Sequence, residues 1–439
     1  MDNLPDLMDN VSFNMASRAG DRLMKLTFFH MQGYRDLPED FSKRYASVWV
    51  NPPNDELCDP VRVGQYLRWN LQELHYAAEL GYDGVGTNEH HQNAYGFPMP
   101  SLTAYHLAAT TEDVAIVLLG QTLPMNHPLR VAEEMAQIDA LSGGRLVAGW
   151  PVGTTMDVNH CYGVIPSQTR SRFMEAHDLI KAAWTRPGPF IWNGKYHKLR
   201  NVNPWPKPIQ KPHPPIWLAG GGSMETWELA AKNNYVYPFL SFNGHLAGRA
   251  IMQQFWDCNE AAGNDANPYR AGFAQIVVVA ETDQDAEKLY ASHISNFYRK
   301  TLHIPPYFSG SPGYSSKRSM VNAMNKFQEP TAFSTVPTMV DWKEAIESGK
   351  VIGGSPETVR QRMEEAAKTL RVGHFVLLMQ LQSMPHDLTL YNIRMFAENV
   401  MPHIRHLWDD KWSATGYWPS GARTPKVAAV ARPVLSGVA

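Results

Sequence analysis

Residues 77–91 read Ala-Ala-Glu-Leu-Gly-Tyr-Asp-Gly-Val-Gly-Thr-Asn-Glu-His-His, and this run contains the clearest structural signal in the chain. Gly81 suits the left-handed position that follows the last turn of a helix. Residues 82–87 form a strand-length run of apolar and β-favouring residues, and the polar residues Asn88 to His91 follow directly. This order predicts one unit of an α/β barrel, because barrels have their chemistry at the carboxyl ends of strands.

The same alternation of strand and helix continues on both sides of this run. Strand followed by helix, repeated along a chain, indicates a parallel sheet covered by helices. A chain of 439 residues suits a barrel of ~250 residues or more with insertions. The predicted strands are 23–31, 82–87, 114–120, 145–150, 216–219, 273–280 and 375–380, and the predicted helices are 64–80, 101–110, 129–141, 172–185, 224–232 and 388–408.

Three regions are predicted along the chain. Residues 1–22 form an amino-terminal arm, residues 23–410 form the barrel, and residues 411–439 form a carboxyl-terminal tail that we expect to be extended. Polar, proline-broken insertions are expected at about 34–60 and 304–337, and residues 195–215 are expected to be an extended connector. The first insertion would lie above the barrel as a lid or subunit contact, or would be a passive surface loop.

Composition limits the classes of partner. The chain is 44% hydrophobic and 19% charged with a formal charge of -2, which does not suggest binding to nucleic acid or a membrane surface. The expected partners are small molecules or further copies of the chain. Its three cysteines are widely spaced, which argues against a disulfide framework or a zinc ribbon, and no signal peptide or transmembrane run is evident. We therefore expect a soluble cytoplasmic protein.

A glycine-rich turn, Gly220-Gly221-Gly222-Ser223, lies where a predicted strand meets a predicted helix. Backbone N–H groups there can approach an anion, and the helix amino terminus favours negative charge, so the turn is a candidate phosphate cradle. The alternative is a tight turn without a ligand. The spacing is not that of a dinucleotide-binding fingerprint, which disfavours a dinucleotide.

His90 and His91 are candidate catalytic residues. A histidine at a barrel mouth is a natural general acid, general base or hydrogen-bond donor, and the alternative is a structural histidine bonded to a backbone carbonyl. Adjacent side chains on an extended segment point to opposite faces, so we predict no metal site.

Two further features are weaker signals on their own. Gly149 and Gly153 end another predicted strand, and two glycines there indicate that something flat or crowded approaches the backbone. Arg172, in the next helix, could bind a phosphate through two hydrogen bonds, although a helical arginine is more often a solvated surface residue.

Taken together, these residues resemble the bacterial luciferase-like flavin monooxygenase family. The resemblance extends over about residues 23–407, and the segments occur in the family's order. The four segments are 77–91; 123–128 (Leu-Pro-Met-Asn-His-Pro) with 141–146 (Leu-Ser-Gly-Gly-Arg-Leu); 208–216 (Pro-Ile-Gln-Lys-Pro-His-Pro-Pro-Ile); and 352–359 (Ile-Gly-Gly-Ser-Pro-Glu-Thr-Val) with 396–402 (Phe-Ala-Glu-Asn-Val-Met-Pro).

The resemblance implies a (β/α)8 TIM barrel that binds FMN at its carboxyl face and forms a homodimer. It implies that His90 is the active-site histidine, and that Leu119 and Gly120 are joined by a non-prolyl cis peptide against the flavin ring. Val152 stands where the family pattern has an arginine, so the phosphate would depend more on Arg172 and on backbone donors. The implied cofactor-binding residues are Leu119, Gly120, Gly149, Gly153, Arg172, Gly220, Gly221, Gly222 and Ser223.

The leading hypothesis is a two-component monooxygenase. Reduced FMN would come from a separate flavin reductase, because no nicotinamide-binding motif is found, and the enzyme would use O2 to oxygenate a small apolar or carbonyl-containing organic substrate. One alternative is an oxidoreductase of the same fold that uses the reduced deazaflavin coenzyme. The other is a flavin-binding protein without catalysis.

Overall fold

Parallel strands form the centre of the protein in the computed structural model, which describes residues 23–240, 242–326, 340–408 and 411–423. The central strands are short and buried, because helices cover their outer faces and side chains from the strands fill the interior. The strands are β1 Lys25–His30, β2 Gly84–Thr87, β3 Ala115–Leu119, β4 Leu146–Gly149, β5 Phe190–Asn193, β6 Lys198–Val202, β7 Ile216–Trp217, β8 Tyr237–Phe239, β9 Ala271–Val279, β10 Val351–Gly354 and β11 His374–Leu378.

Eight of these strands close into a ring. Parallel ladders join β9, β11, β1, β2, β3, β4 and β7 in that order, and β8 pairs with the other side of β9. Two parallel bridges, Trp217 to Val236 and Gly220 to Phe239, join β7 to β8 and complete the circuit. The predicted (β/α)8 barrel is therefore confirmed. β10 adds to β9 outside the ring, and β5 and β6 form a separate antiparallel hairpin.

Helices alternate with the barrel strands and pack around them. Six of the described helices begin at a proline, because the first helical position needs no N–H donor; these are Pro60, Pro100, Pro128, Pro166, Pro306 and Pro356. The helices are α1 Phe41–Arg44, α2 Asn54–Leu57, α3 Pro60–Glu79, α4 Pro100–Thr110, α5 Pro128–Leu141, α6 Pro166–Thr185, α7 Met224–Asn233, α8 Gly244–Ala261, α9 Asp283–Asn296, α10 Pro306–Ser309, α11 Lys317–Lys326, α12 Trp342–Glu347, α13 Pro356–Leu370, α14 His386–Asn399 and α15 Met401–Ile404. Within the described ranges, no helix has the length and apolar character needed to cross a bilayer.

Several elements differ from the sequence-based expectation. The sixth barrel strand, β8, was not predicted; it is three residues long and contains Pro238. The helices α8, α9 and α13 and the strand β10 were not predicted either. The segment 195–215 is not simply a connector, because its first part includes β6, which pairs with β5. Helix α6 begins at Pro166, six residues before the predicted start.

The carboxyl-terminal segment folds back under the barrel. Ala414, Tyr417 and Trp418 are buried, and the Trp418 ring stacks on His374 with a centroid separation of 5.6 Å. A side chain at Gly84 would come within 3.0 Å of Trp418, so the indole fills the amino-terminal end of the ring. The prediction of an extended arm is wrong for residues 413–423. The predicted arm at residues 1–22, residues 327–337 of the second insertion and the end of the tail lie outside the described residues.

Arg145, in a segment that supports the family resemblance, has a structural role. Its guanidinium donates hydrogen bonds to the carbonyl oxygens of Ala108, Thr111, Val114 and Ser142 at 2.6 to 3.1 Å. These bonds satisfy carbonyls at and after the end of α4 and near the end of α5, which a buried helix end requires. Burial lowers the Arg145 pKa, and the four carbonyl partners compensate for the lost hydration.

Candidate active site

His90 follows β2 at the carboxyl end of the barrel and is bonded to a buried carboxylate. Its Nδ1 lies 2.8 Å from Oδ2 of Asp157, which is 1% exposed. Asp157 belongs to a single π-helical turn, Met156–Cys161, in the connection between β4 and α6. Its other oxygen accepts hydrogen bonds from Trp49 Nε1 at 2.8 Å and from the backbone N–H of His91 at 2.9 Å. The aspartate therefore positions both histidines.

The Asp157 carboxylate is held in its ionised form. Burial alone would raise the Asp157 pKa. The contacts with His90, Trp49 and the His91 amide together have the larger opposite effect, so the pKa of Asp157 is below its ordinary value. An ionised carboxylate only accepts hydrogen bonds, so His90 Nδ1 donates. This fixes the orientation of the imidazole at the barrel mouth.

Sequence reasoning identified neither Asp157 nor Trp49 as part of the site. Trp49 lies in the first insertion, and its ring packs edge-on against His90 at 4.6 Å and stacks on Tyr95 at 4.1 Å. The insertion thus contributes to the site directly. The local patterns around the two residues gave no signal, because their role depends on contacts over 108 residues of sequence.

His91 has different partners from His90. Its ring Nδ1 lies 3.0 Å from the Tyr162 hydroxyl and its Nε2 lies 3.2 Å from Glu89. Glu89 in turn accepts a 2.6 Å hydrogen bond from the backbone N–H of Thr122, after β3. His91 therefore connects the loops that follow β2, β3 and β4. Its contacts are those of a structural residue, and its catalytic role stays a prediction.

Buried glycine backbone lies at the ends of β3 and β4. The Leu119–Gly120 peptide bond is cis, as the resemblance implied. A Cβ atom on Gly120 would lie 2.0 Å from the Gly149 oxygen, and one on Gly149 would lie 1.9 Å from the Leu118 oxygen. Neither position can accept a side chain. The backbones of β3 and β4 therefore approach each other closely at this point, with no side chain between them.

The glycine-rich turn between β7 and α7 is partly used by the barrel itself. The Gly220 N–H donates to the Pro238 oxygen at 3.2 Å, so it is a barrel contact. The amides of Gly221 and Ser223 have no acceptor among the described residues. Gly222 has a φ of 110°, a conformation that favours glycine. The available donors of the cradle are therefore Gly221 and Ser223.

Arg170 faces this turn, and Arg172 does not. The Arg170 guanidinium donates to Ser223 Oγ at 3.2 Å, and its Nε has no hydrogen-bond partner among the described residues. Arg172 stacks over the Tyr196 ring at 4.5 Å and bonds Gln168. Successive helical residues are ~100° apart, so positions two apart face nearly opposite directions. The structure therefore places Arg170 beside the turn and Arg172, the residue predicted from the sequence, beside Tyr196.

The second insertion covers both glycine loops. The Tyr314 hydroxyl donates to the Gly153 carbonyl, and the Met224 N–H at the start of α7 donates to Ser319 Oγ at 3.3 Å. Gly153 has a φ of 90°, and its Cβ would lie 2.4 Å from Thr122 Cγ2. Residues 306–319 therefore contact the loop after β4 and the start of α7, while Gly221 in the turn remains exposed.

These features fit a ligand with one anionic end and one flat polar end. The anion would meet two free amides, a helix amino terminus and Arg170. On the side nearer β2 and β3, the buried Asn88 Oδ1 and Gln121 Oε1 have no hydrogen-bond partners within the described part of the chain. The two ends of the mouth thus offer donors to an anion and these acceptors to a polar ring.

Comparison with known proteins gives a consistent result. Residues 51–372 match the family model described as luciferase-like monooxygenase. An FMNH2-dependent dimethylsulfone monooxygenase from Pseudomonas putida is 22% identical over 78% of this chain and 85% of its own length. The oxygenase component of a flavin-dependent trigonelline monooxygenase from Acinetobacter baylyi is 30% identical over 50% of this chain and 60% of its own length.

Solved structures show the same fold. The oxygenating constituent of 3,6-diketocamphane monooxygenase from Pseudomonas putida, in complex with FMN, superposes with a TM-score of 0.65 at 18% identity, covering 87% of this chain and 99% of that one. An F420-dependent secondary alcohol dehydrogenase superposes with a TM-score of 0.59 at 16% identity, with the same coverage of both chains. At these identities the likeness concerns the fold alone.

Proposed function

Because the chain belongs to the luciferase-like monooxygenase family, and is thus a flavin-dependent enzyme, we propose that it uses FMN. In this proposal reduced FMN is a co-substrate, O2 is the oxidant, and one oxygen atom passes to a small apolar or carbonyl-containing organic substrate. The dimethylsulfone relative, which covers 78% of this chain, is named for FMNH2. That name supports FMN over the deazaflavin coenzyme.

The proposal depends on the barrel mouth, which has donors for an anion at one end and acceptors for a flat polar group at the other. The Gly221 and Ser223 amides with Arg170 would hold the phosphate, and the Gly120 backbone would contact the flat ring. Such a site takes a mononucleotide, because the cradle is part of the turn into α7 and lacks a dinucleotide fingerprint. Bound reduced FMN would supply the electrons for oxygen activation.

The protein's own task is to position the reactants, control a proton and exclude water. His90 would hold or accept a proton at Nε2, because Asp157 occupies Nδ1. The segment 306–319 would keep bulk water from the site through its contacts with Gly153 and α7. The trigonelline relative is named as an oxygenase component, which supports a separate flavin reductase as the partner of this chain.

Oxygen consumption tests the proposal. Photoreduced FMN and the purified chain should consume O2 and yield oxygenated product with at least one member of a panel of alkanes, aldehydes, ketones and terpenes. The reduced deazaflavin coenzyme is the matched alternative cofactor. Selective binding of the deazaflavin over FMN would contradict the proposal. NADH oxidation by the chain alone, at the rate of product formation, would contradict the two-component arrangement.

Exchange of the two arginines of α6 tests the cradle. We expect Arg170→Ala to weaken FMN binding about 10- to 100-fold, because a charge-assisted contact to a phosphate contributes roughly 1.5–3 kcal/mol. Arg172→Ala is the matched control, since it lies two residues away and stacks on Tyr196. Fluorescence titration with FMN measures both. A larger loss in Arg172→Ala than in Arg170→Ala would exclude our assignment.

A further inference from the structure

His90 has a defined tautomer in its neutral form. Its Nδ1 faces the ionised Asp157 at 2.8 Å, and its Nε2 lies 2.7 Å from the side-chain amide of Asn88. The carboxylate requires the hydrogen on Nδ1, so the neutral ring has its lone pair on Nε2. Asn88 must then direct its NH2 group toward Nε2. The orientation of the amide follows from the charge on Asp157.

The other end of the Asn88 amide is an unused acceptor. Asn88 Oδ1 is buried and has no hydrogen-bond partner within the described ranges. Asn88 is the first residue after β2, so it lies at the carboxyl end of the ring where a ligand would bind. A buried carbonyl oxygen without a partner is costly, which is the condition under which a ligand donor is favoured.

We propose that Asn88 binds the ligand at the barrel mouth and that the protonation state of His90 sets the direction of its hydrogen bond. While His90 is neutral, Asn88 donates to Nε2 and offers Oδ1 to the ligand as an acceptor. When one proton is added to Nε2, two donors face each other. The amide then rotates by half a turn, so that Oδ1 accepts from Nε2–H and the NH2 group faces the ligand.

Tyr95 and Glu89, two other ionisable groups near His90, do not control the orientation of the Asn88 amide. Besides Asp157, the titratable side chain packed against His90 among the described residues is Tyr95, whose ring lies 4.8 Å away. Burial, with a smaller effect from Asp157, raises the pKa of Tyr95, so the phenol stays neutral. Glu89 is directed to His91 and Thr122. The protonation state of His90 Nε2 therefore determines the orientation of the Asn88 amide.

The switch would serve the proposed oxygenation. An acceptor suits an N–H group of the ligand before proton transfer, and a donor suits an oxygen that becomes negative afterwards. This step rests on the proposed function, since the ligand is FMN. The coupling of Asn88 to His90 depends on the side chains alone and can be measured without turnover.

Nitrogen NMR of the full chain tests the coupling. In protein labelled with 15N-histidine, with His90 assigned by the loss of its signals in His90→Gln, the neutral ring should be the Nδ1–H tautomer. In Asp157→Asn, the carboxamide oxygen should remain with its two N–H donors, Trp49 and the His91 amide, and the NH2 group should face Nδ1. The His90 tautomer should then invert to Nε2–H. A wild-type Nε2–H tautomer would overturn the proposal, as would an unchanged tautomer in folded Asp157→Asn.

Two further variants separate the remaining outcomes. Asp178→Asn is the matched control, because Asp178 makes an equivalent 2.8 Å contact with His177 and should leave the His90 signals unchanged. Asn88→Asp places a carboxylate beside Nε2 and should keep His90 doubly protonated to higher pH, which tests the coupling if Asp157→Asn does not fold. An unshifted His90 titration in Asn88→Asp would overturn it.

Binding of oxidised FMN tests the ligand contact. Asn88→Ala should weaken FMN binding about three- to tenfold, the effect of one hydrogen bond. Unchanged affinity in this variant would overturn the contact. If wild-type protein does not bind FMN while the tautomer is as expected, the proposed function fails and the coupling of Asn88 to His90 stands.

Discussion

Replacing His90 by glutamine is expected to lower the rate of product formation by about 10²- to 10⁴-fold, the range of a positioned general acid or base. FMN affinity should change little, since the proposed phosphate cradle, at the start of α7 beside Arg170, does not include His90. Glutamine keeps a hydrogen-bonding group near Asp157 and Asn88 but cannot exchange a proton near neutral pH. The loss should therefore appear in the rate of reaction and not in binding.

Single-turnover reactions of photoreduced FMN with O2 and substrate provide the measurement. His91→Gln is the matched control, because His91 is the adjacent histidine and contacts Glu89 and Tyr162 instead of Asp157. We expect a much smaller kinetic effect from it, together with some loss of stability. Equal rates for wild type and His90→Gln at equal flavin occupancy would remove His90 from the reaction.

The barrel could be predicted because its signals are local. Gly81 is the left-handed residue at the end of α3, with a φ of 87°, and the polar residues after it follow a buried strand. The missing sixth strand shows the limit of such reasoning. β8 has three residues, includes a proline, and is defined by its neighbours, the β7 segment and β9. Its assignment depends on closure of the ring, which is a long-range property.

The residues of the candidate site also fall into two groups, those with a local signal in the sequence and those whose role depends on long-range contacts. His90 follows a strand, so its position in the sequence was enough to make it a candidate, whereas Gly120 was a candidate because of the family resemblance. Asp157 and Trp49 meet across 108 residues, and only the folded chain shows their contact. Arg170 was missed for a simpler reason: helix α6 starts earlier than predicted, and the direction of an arginine on a helix depends on the phase of that helix.

The two insertions contribute to the site, as the contacts of their side chains show. Trp49 from the first insertion holds Asp157, and Tyr314 from the second bonds the loop after β4. The barrel thus supplies His90 and the backbone donors, and the insertions supply the groups that orient and cover them.

A buried ionic cluster lies beside the site, between β1, α3 and α14. Glu73 of α3 is fully buried, and its carboxylate bonds His30 at 2.6 Å, Arg35 at 2.9 Å and His386 at 2.8 Å. Burial alone would raise the Glu73 pKa, but the bonds from the two histidines and the charge of Arg35 hold it well below the ordinary value. The cluster anchors the start of the first insertion to the barrel.

Glu73→Gln is expected to lower the free energy of unfolding by about 3–5 kcal/mol, because it leaves the Arg35 guanidinium buried without a counter-charge. Arg35 is 7% exposed, so water cannot replace the lost partner. Denaturant unfolding of the variant measures the effect. Glu364→Gln is the control, since Glu364 pairs with Lys368 at the surface and should contribute less than about 1 kcal/mol.

The pH dependence separates the charge of Glu73 from its packing. A carboxyl whose folded pKa is depressed stabilises the protein above its unfolded pKa, about 4.3, and this stability is lost as the pH falls toward the folded value. The difference in unfolding free energy between wild type and Glu73→Gln should therefore be constant from neutral pH to about pH 5, apart from histidine titration. Below about pH 4 it should narrow by up to ~1.4 kcal/mol per pH unit.

The double variant Glu73→Leu with Arg35→Met should recover part of the lost stability, because it removes both buried charges. A free-energy difference that stays constant down to low pH, or a double variant less stable than Glu73→Gln, would show that the carboxylate acts through its shape and not through its charge.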